Sequence, residues 1–301
     1  MTIHTLDLKF LGLARAIAVF VVEGPKGVAL VETGPHSTHE RVSELVSELG
    51  WSPSDFRHIF LSHIHFDHAG AAWVWGRQGA RVYVHPVGRA HLMAPEKLYQ
   101  SARRIYGDQM EHLWGTVEPI PESQLYAPEH GEIIEAVGLR FRAWYTPGHA
   151  THHLAWEVSE PGGNAVVFTG DVAGVCINGH YVVPPCPPPD INIEDWLSSI
   201  QLLHALPAST LYLTHFGLVE DKVRHLHDLE KRLLAWANWM KPYAQRKAQV
   251  EEVMPEFLAF VREDMTAAGI DAATAACYEA ANPAFMSVAG LLRYWNKKLF
   301  A

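Results

Sequence analysis

The run Ser62-His63-Ile64-His65-Phe66-Asp67-His68 follows directly on the apolar stretch His58–Leu61. A strand that ends in His-x-His brings two imidazoles into one tight turn, and Asp67 and His68 add two more groups of ligand type. Imidazole nitrogens and carboxylate oxygens suit zinc and similar divalent ions. Four such groups within six residues are too many for one ion that keeps an open position, so a second ion or a supporting role is implied. Three later positions extend the theme: His149 after Thr146-Pro147-Gly148, Asp171 after Thr169-Gly170, and His215 after Leu213-Thr214. Each follows a predicted strand. Alone, any of them reads as an ordinary hydrogen-bonded loop residue; in this order, behind the first cluster, they are expected to form one metal site.

The surrounding pattern alternates strands with helices. Met1–Phe10 reads as a first strand, not a leader segment, and Ile17–Val22 and Gly27–Glu32 form a hairpin across Glu23-Gly24-Pro25-Lys26. Val42, Leu45, Val46 and Leu49 give helical spacing over Thr38–Leu49. After the histidine cluster come a helix opening at Ala69–Gly76 and a strand at Arg81–His85, a βαβ cadence that a mixed segment then interrupts. Strands resume at Leu139–Tyr145, His153–Val158, Ala165–Thr169 and Leu211–Thr214, with a helix near Glu194–Leu206. From Val219 onward helical spacing dominates, punctuated by Pro242, Pro255 and Pro283 into three or four helices. The expected division is one α/β domain over residues 1–218, with a helical insertion at about 87–130, and a C-terminal helical region over 219–301.

Composition narrows the function. A chain of 301 residues with 49% apolar and 19% charged residues is ordinary globular material. Its net charge of −9 offers no field to recruit nucleic acid, so a small-molecule substrate is expected. Cys176, Cys186 and Cys277 are odd in number and form no Cys-x-x-Cys pair, which points to a reducing cytoplasm and away from a disulfide framework. No run of about 18 apolar residues predicts a membrane span.

With these motifs in place, the chain resembles the metallo-β-lactamase superfamily over roughly residues 10 to 216. The resemblance implies a four-layered αββα sandwich. It implies that His63, His65 and His149 hold a first divalent ion, that Asp67, His68 and His215 hold a second, and that Asp171 bridges them. Zinc is the expected metal, with iron or manganese as the other members of the set. Two cations that lower the pKa of a shared water, oriented by the catalytic carboxylate Asp67, would attack a small ester, thioester or lactone. Where the family commonly has Asp-x-Gly, this chain has Glu32-Thr33-Gly34, so Glu32 is either an acceptor for a ligand histidine or a solvated carboxylate. The layout is similar to the glyoxalase II-like branch, but Val172-Ala173-Gly174-Val175-Cys176-Ile177-Asn178 replaces a Gly-Cys-Gly-Arg-like stretch, so glutathione recognition does not carry over. Quorum-signal lactonases often place a tyrosine three residues after the bridging aspartate, where Gly174 stands here. A tRNA-processing phosphodiesterase and an iron-dependent oxidoreductase are the competing classes.

Around the ligands, Cys176, Asn178, His180 and Tyr181 lie on the loop after Asp171 and are expected to touch a ligand or substrate. His152 and His153 read as a polar strand start, Trp73 and Trp75 as packing groups, and His225 and His227 as solvated. Arg103, Arg104 and Tyr106 either meet an anionic substrate group or form a solvated helix face. Pro184–Pro189 is a stiff connection or a pocket wall, and Phe285–Phe300 caps the pocket or forms a homodimer interface.

Overall fold

The segment Ala18–Gly24 shows why this chain builds layers. Ala18, Phe20 and Val22 join one apolar cluster and Val19 and Val21 another, and all five are buried. A strand apolar on both faces needs cover on each. A computed structural model describes residues 1–300, and of Asn178 the backbone alone.

The first sheet runs, in spatial order, β1 (Thr2–Asp7), β2 (Ala18–Gly24), β3 (Gly27–Val31), β4 (His58–Phe60), β5 (Arg81–Tyr83) and β6 (Leu125–Tyr126). Its first three strands are antiparallel neighbours and its last three are parallel. The second sheet consists of β7 (Ile133–Ala136), β8 (Leu139–Tyr145), β9 (Leu154–Ser159), β10 (Ala165–Gly170), β11 (Thr210–Leu213) and β12 (Gly217–Val219), again adjacent in sequence order. Only β10 and β11 are parallel within it. Between the sheets lies an aromatic interior in which Phe60 stacks on Phe141 at 3.9 Å and meets Trp156 edge-on at 4.9 Å.

Helices cover both outer faces. Beside the first sheet pack α1 (His39–Glu48), α2 (Phe66–Ala69), α3 (Ala72–Arg77), α4 (Pro86–Met93), α5 (Glu96–Tyr106) and α6 (Met110–Trp114). Beside the second pack α7 (Ile193–Ala205), α8 (Lys222–Gln245), α9 (Val250–Ala267), α10 (Ala272–Ala281) and α11 (Ala284–Phe300). The result is the expected αββα sandwich, and the C-terminal helices share one continuous core with the second sheet. The first turns of α7, α8 and α10 are capped by Asn192, Asp221 and Asp271, whose side chains accept backbone N–H groups.

Several elements differ from expectation. The strands β6, β7 and β12 carry no readable apolar alternation, being two residues long or half exposed. Pro242 and Pro255 lie inside α8 and α9 and do not end them. In α8 a buried stripe of Leu226, Leu229, Leu233, Trp236 and Met240 holds the helix together across the missing N–H. Among the described residues, no helix is long and apolar enough to cross a membrane.

Candidate metal centre

The site forms where strands from both sheets end. His63, His65, Asp67 and His68 follow β4, with the last two on the short α2, while His149, Asp171 and His215 follow β8, β10 and β11. Two glycines set the approach. A Cβ on Gly148, at φ +136°, would lie 2.4 Å from the Trp196 Cα, and one on Gly170, at φ +49°, would lie 2.4 Å from the Ser62 hydroxyl. Only a residue without a side chain lets His149 and Asp171 sit this close to α7 and the histidine turn.

All seven predicted groups converge. His63 Nε2 and His149 Nε2 lie 2.8 Å and 3.1 Å from His65 Nδ1, and Asp171 Oδ2 is 3.3 Å from His149 Nε2. On the other side, Asp67 Oδ2 lies 3.5 Å from His68 Nε2 and 3.4 Å from His215 Nε2, and Asp171 Oδ1 lies 3.2 Å and 3.4 Å from the same two nitrogens. One aspartate thus presents one oxygen to each set. The ligand atoms of His63, His65 and His149, and those of Asp67, His68 and His215, each lie within 4.8 Å of one another, as do those of His63, His68 and Asp171.

Behind the rings, hydrogen bonds fix which nitrogen faces inward. His149 Nδ1 donates to the Pro185 carbonyl at 2.8 Å, and His215 Nδ1 to the Ala16 carbonyl at 2.6 Å. His63 Nδ1 pairs with the Ser62 hydroxyl at 2.9 Å. Glu32 directly follows β3 at φ +64°, a strained conformation for a side-chain-bearing residue. There its buried carboxylate accepts from the Ser62 backbone N–H, His68 Nδ1 and the Thr214 hydroxyl at 3.2, 3.2 and 3.4 Å. It is the acceptor for a ligand-type histidine, not a solvated group.

These bonds leave acceptors facing acceptors. His68 Nε2, His215 Nε2 and Asp171 Oδ1 are buried and lack any hydrogen-bond partner. Their mutual approach at 3.2 to 3.4 Å has no hydrogen-bond geometry, which a buried site does not tolerate without positive charge between the atoms. The donor set therefore fits divalent cations. In the metal-free protein that charge is protonic: burial would lower His68, but Asp171, Asp67 and Glu32 outweigh it and hold its pKa well above the usual value. His215 is raised likewise, burial being overcome by Asp171 and Asp67. Asp67 and Asp171 are pulled down by His68 and His215 against the burial that would raise them. Burial and crowding with other rings lower His63 strongly and His65 to about 4, so both are neutral and available as ligands near neutral pH.

Other expectations are corrected. The Cys176 backbone N–H donates to the His215 carbonyl at 2.5 Å, but the side chains of the loop after Asp171 turn away from the ligands, because Val175 bridges back to Val183 and packs toward the C-terminal helices. Cys176 is buried there, its thiol pushed up to about 11 by burial. Tyr181 donates to Asp264 at 2.7 Å under the Arg232 guanidinium, and His180 lies at the surface beside Glu220 and Arg224. None of the three lines the cavity over the ligands. The side chain of Asn178 lies outside the described residues. His225 is not solvated: its Nε2 donates to the Ala173 carbonyl at 2.7 Å, whereas His227 is exposed. Trp75 is fully buried and Trp73 donates to the Thr116 carbonyl, as packing groups do.

His153 is more than a polar strand start. Its Nε2 accepts the Asp171 backbone N–H at 3.1 Å and its Nδ1 meets the Thr146 hydroxyl at 2.8 Å, so it braces Asp171 from beneath. His152 sits behind His65 with ring centres 5.7 Å apart. Nothing in the spacing of His152 and His153 separates them from a strand start; only the pairing of β9 with β8 and β10 brings them under the ligands. Arg103 and Arg104 are exposed and stay outside the cavity, but Tyr106 lines it, with no hydrogen-bond partner for its hydroxyl among the described residues. Pro185 and Pro187–Pro189 form one wall.

Residues 13–215, more than half of the chain, match the family model of the metallo-beta-lactamase superfamily. A metallo-beta-lactamase fold-containing protein of Sulfurisphaera tokodaii is 29% identical over 213 residues, covering 69% of this chain and 76% of that one. An N-acyl homoserine lactonase of a Bacillus species is 25% identical, covering 65% and 66%. An atrochrysone carboxyl ACP thioesterase of Aspergillus fumigatus is also 25% identical, over 67% of this chain but 37% of its own length. In three dimensions, a metallo-beta-lactamase family protein from Thermus thermophilus superposes with a TM-score of 0.71 at 22% identity, covering 98% of this chain and 93% of that one.

Proposed function

The chain belongs to the metallo-β-lactamase superfamily, and from that premise we propose that it hydrolyses a small ester, thioester or lactone at a site holding two divalent cations, zinc before iron or manganese. The observation that carries this reading is Asp171, whose two oxygens face two separate sets of imidazole nitrogens, with Oδ1 and the His68 and His215 Nε2 atoms buried and without a hydrogen-bond partner. His63, His65 and His149 would hold one cation, Asp67, His68 and His215 the other, with Asp171 contributing an oxygen to each. When bound, the cations supply Lewis acidity toward the scissile carbonyl and make hydroxide available near neutral pH.

The chain's own residues do the rest. Asp67 reaches the cavity with a carboxylate that accepts a hydrogen bond from the attacking water and turns its lone pair toward the acyl carbon. Tyr106, on α5, presents an unpartnered hydroxyl as a donor to charge developing on the substrate. Glu32, the Pro185 carbonyl and the Ala16 carbonyl keep three ligand rings from rotating, so little reorganisation is needed during turnover. The lactonase and thioesterase relatives support carboxyl ester chemistry at low identity. Among the described residues no lysine or arginine lines the cavity, which argues against a phosphodiester substrate.

The test is a panel of esters, thioesters, lactones and phosphodiesters offered to the zinc-loaded protein. Turnover of a carboxyl ester or thioester, abolished by chelation and restored by zinc, is expected. Phosphodiester hydrolysis far above that of every carboxyl ester would overturn the assignment.

A further inference from the structure

The cavity over the ligands has two unlike ends. At its floor stand His65, Asp67, His149 and Asp171; above them it is walled almost wholly by carbon. Leu98, Ala102 and Ile105 come from one side of α5, Phe66 and Trp114 from the helices beside it, and Met286 from the first turn of α11. The enclosed space is about 150 Å³. Its charged lining groups are Asp67 and Asp171, both already committed to the floor, and its other uncharged polar groups are Ser101, Tyr106 and Asn282, the last accepting from the Ser287 hydroxyl at 3.2 Å. Arg103 and Arg104, the nearest cations in sequence, are exposed and absent from the lining.

An anionic chain placed here would lose its hydration without gaining a counter-ion, whereas an apolar chain would exchange water for carbon contacts. We propose that this cavity is an acyl pocket and that the substrates are esters or thioesters of uncharged, apolar acids. The placement of the scissile carbonyl at the His65–Asp171 end rests on the hydrolase reading; the selection of an apolar chain rests on the walls alone. In the reaction, water's oxygen bonds to the acyl carbon and the bond to the alcohol oxygen or thiol sulfur breaks. One proton of water goes to the departing group, giving an acid and an alcohol or thiol.

The experiment has an activity arm and a binding arm. With a fixed leaving group, kcat/KM is expected to rise about fourfold per methylene as the acyl chain grows from acetyl, until the pocket is full. An acyl chain of equal length ending in a carboxylate is expected to be at least tenfold poorer. Ala102→Trp, which fills the pocket from α5, should abolish the length preference while leaving metal content unchanged. Leu98→Ala, which widens the pocket, should move the preference to longer chains, and it serves if the larger side chain prevents folding.

In the binding arm, octanamide is titrated calorimetrically into metal-loaded and chelated wild-type protein. Saturable binding to both, lost in Ala102→Trp, is expected. Octanamide binding with no hydrolysis of any ester would leave the acyl pocket standing and remove the hydrolase reading. Hydrolysis with a flat chain-length series, a preference for the carboxylated chain, or no octanamide binding would overturn the acyl pocket.

Discussion

The floor and the walls of the cavity are built in opposite ways. The floor is polar, buried and braced: five imidazoles and two carboxylates, with Glu32, Ser62 and His153 bonded behind them. The walls are apolar and belong to helices and a proline run far apart in the sequence, held mainly by packing, with the Pro185 carbonyl bonded to His149 and the Pro189 carbonyl to Arg293. The floor's geometry is therefore set by directional bonds and is sensitive to single atoms. Away from Pro185 and Tyr106 the walls tolerate change of shape, and selectivity can vary there with less effect on the chemistry.

The largest expected effect lies at the centre of the floor. Asp171→Ala removes the only carboxylate among the described residues that faces both donor sets, and kcat/KM should fall by on the order of 10³-fold or more, measured under saturating zinc. In the outer helical layer, Phe257→Ala opens a hole in a fully buried position and should cost about 3–5 kcal/mol of stability by denaturant titration. If floor and walls are independent, its affinity for metal stays as in wild type. Glu32→Gln keeps the shape but weakens the bond to His68, and metal affinity by chelator competition should drop about 10- to 100-fold.

A pH series sharpens the contrast. His68 and His215 have raised pKa values without metal, so each must give up a proton when a cation binds. Apparent metal affinity should weaken as pH falls through those raised values and level off above them; an affinity indifferent to acidification would separate these rings from the cations. Smallest of all, replacing Arg103 and Arg104 by serine changes an exposed helix face. Stability should move by no more than about 0.5 kcal/mol, and kcat/KM for neutral esters should not move measurably.

The two regions also differ in how far they can be read from sequence. Four of the floor's groups are consecutive or nearly so, and the other three follow strand ends marked by Gly or Thr, so local pattern suffices. Glu32 is readable only as two alternatives, because its reach depends on a left-handed backbone that sequence does not announce. His153 escapes sequence reading since its partner, the Asp171 amide, is reached across the sheet. His180 and Tyr181 mislead for the converse reason: nearness in sequence to Asp171 suggests nearness in space, but Tyr278 and Arg232 on distant helices draw the loop away beyond Cys176, whose amide still reaches the His215 carbonyl. The walls share no motif, and Met286 and Leu98 come to line one cavity only after the helices have packed.

Metal stoichiometry of the purified chain, measured alongside turnover for wild type and Asp171→Ala, tests the central claim most directly. Two equivalents of divalent metal per wild-type chain, with a marked loss of both in the variant and no turnover after chelation, are predicted. A variant that retains both equivalents, or a wild-type protein that works undiminished after exhaustive chelation, would contradict the account.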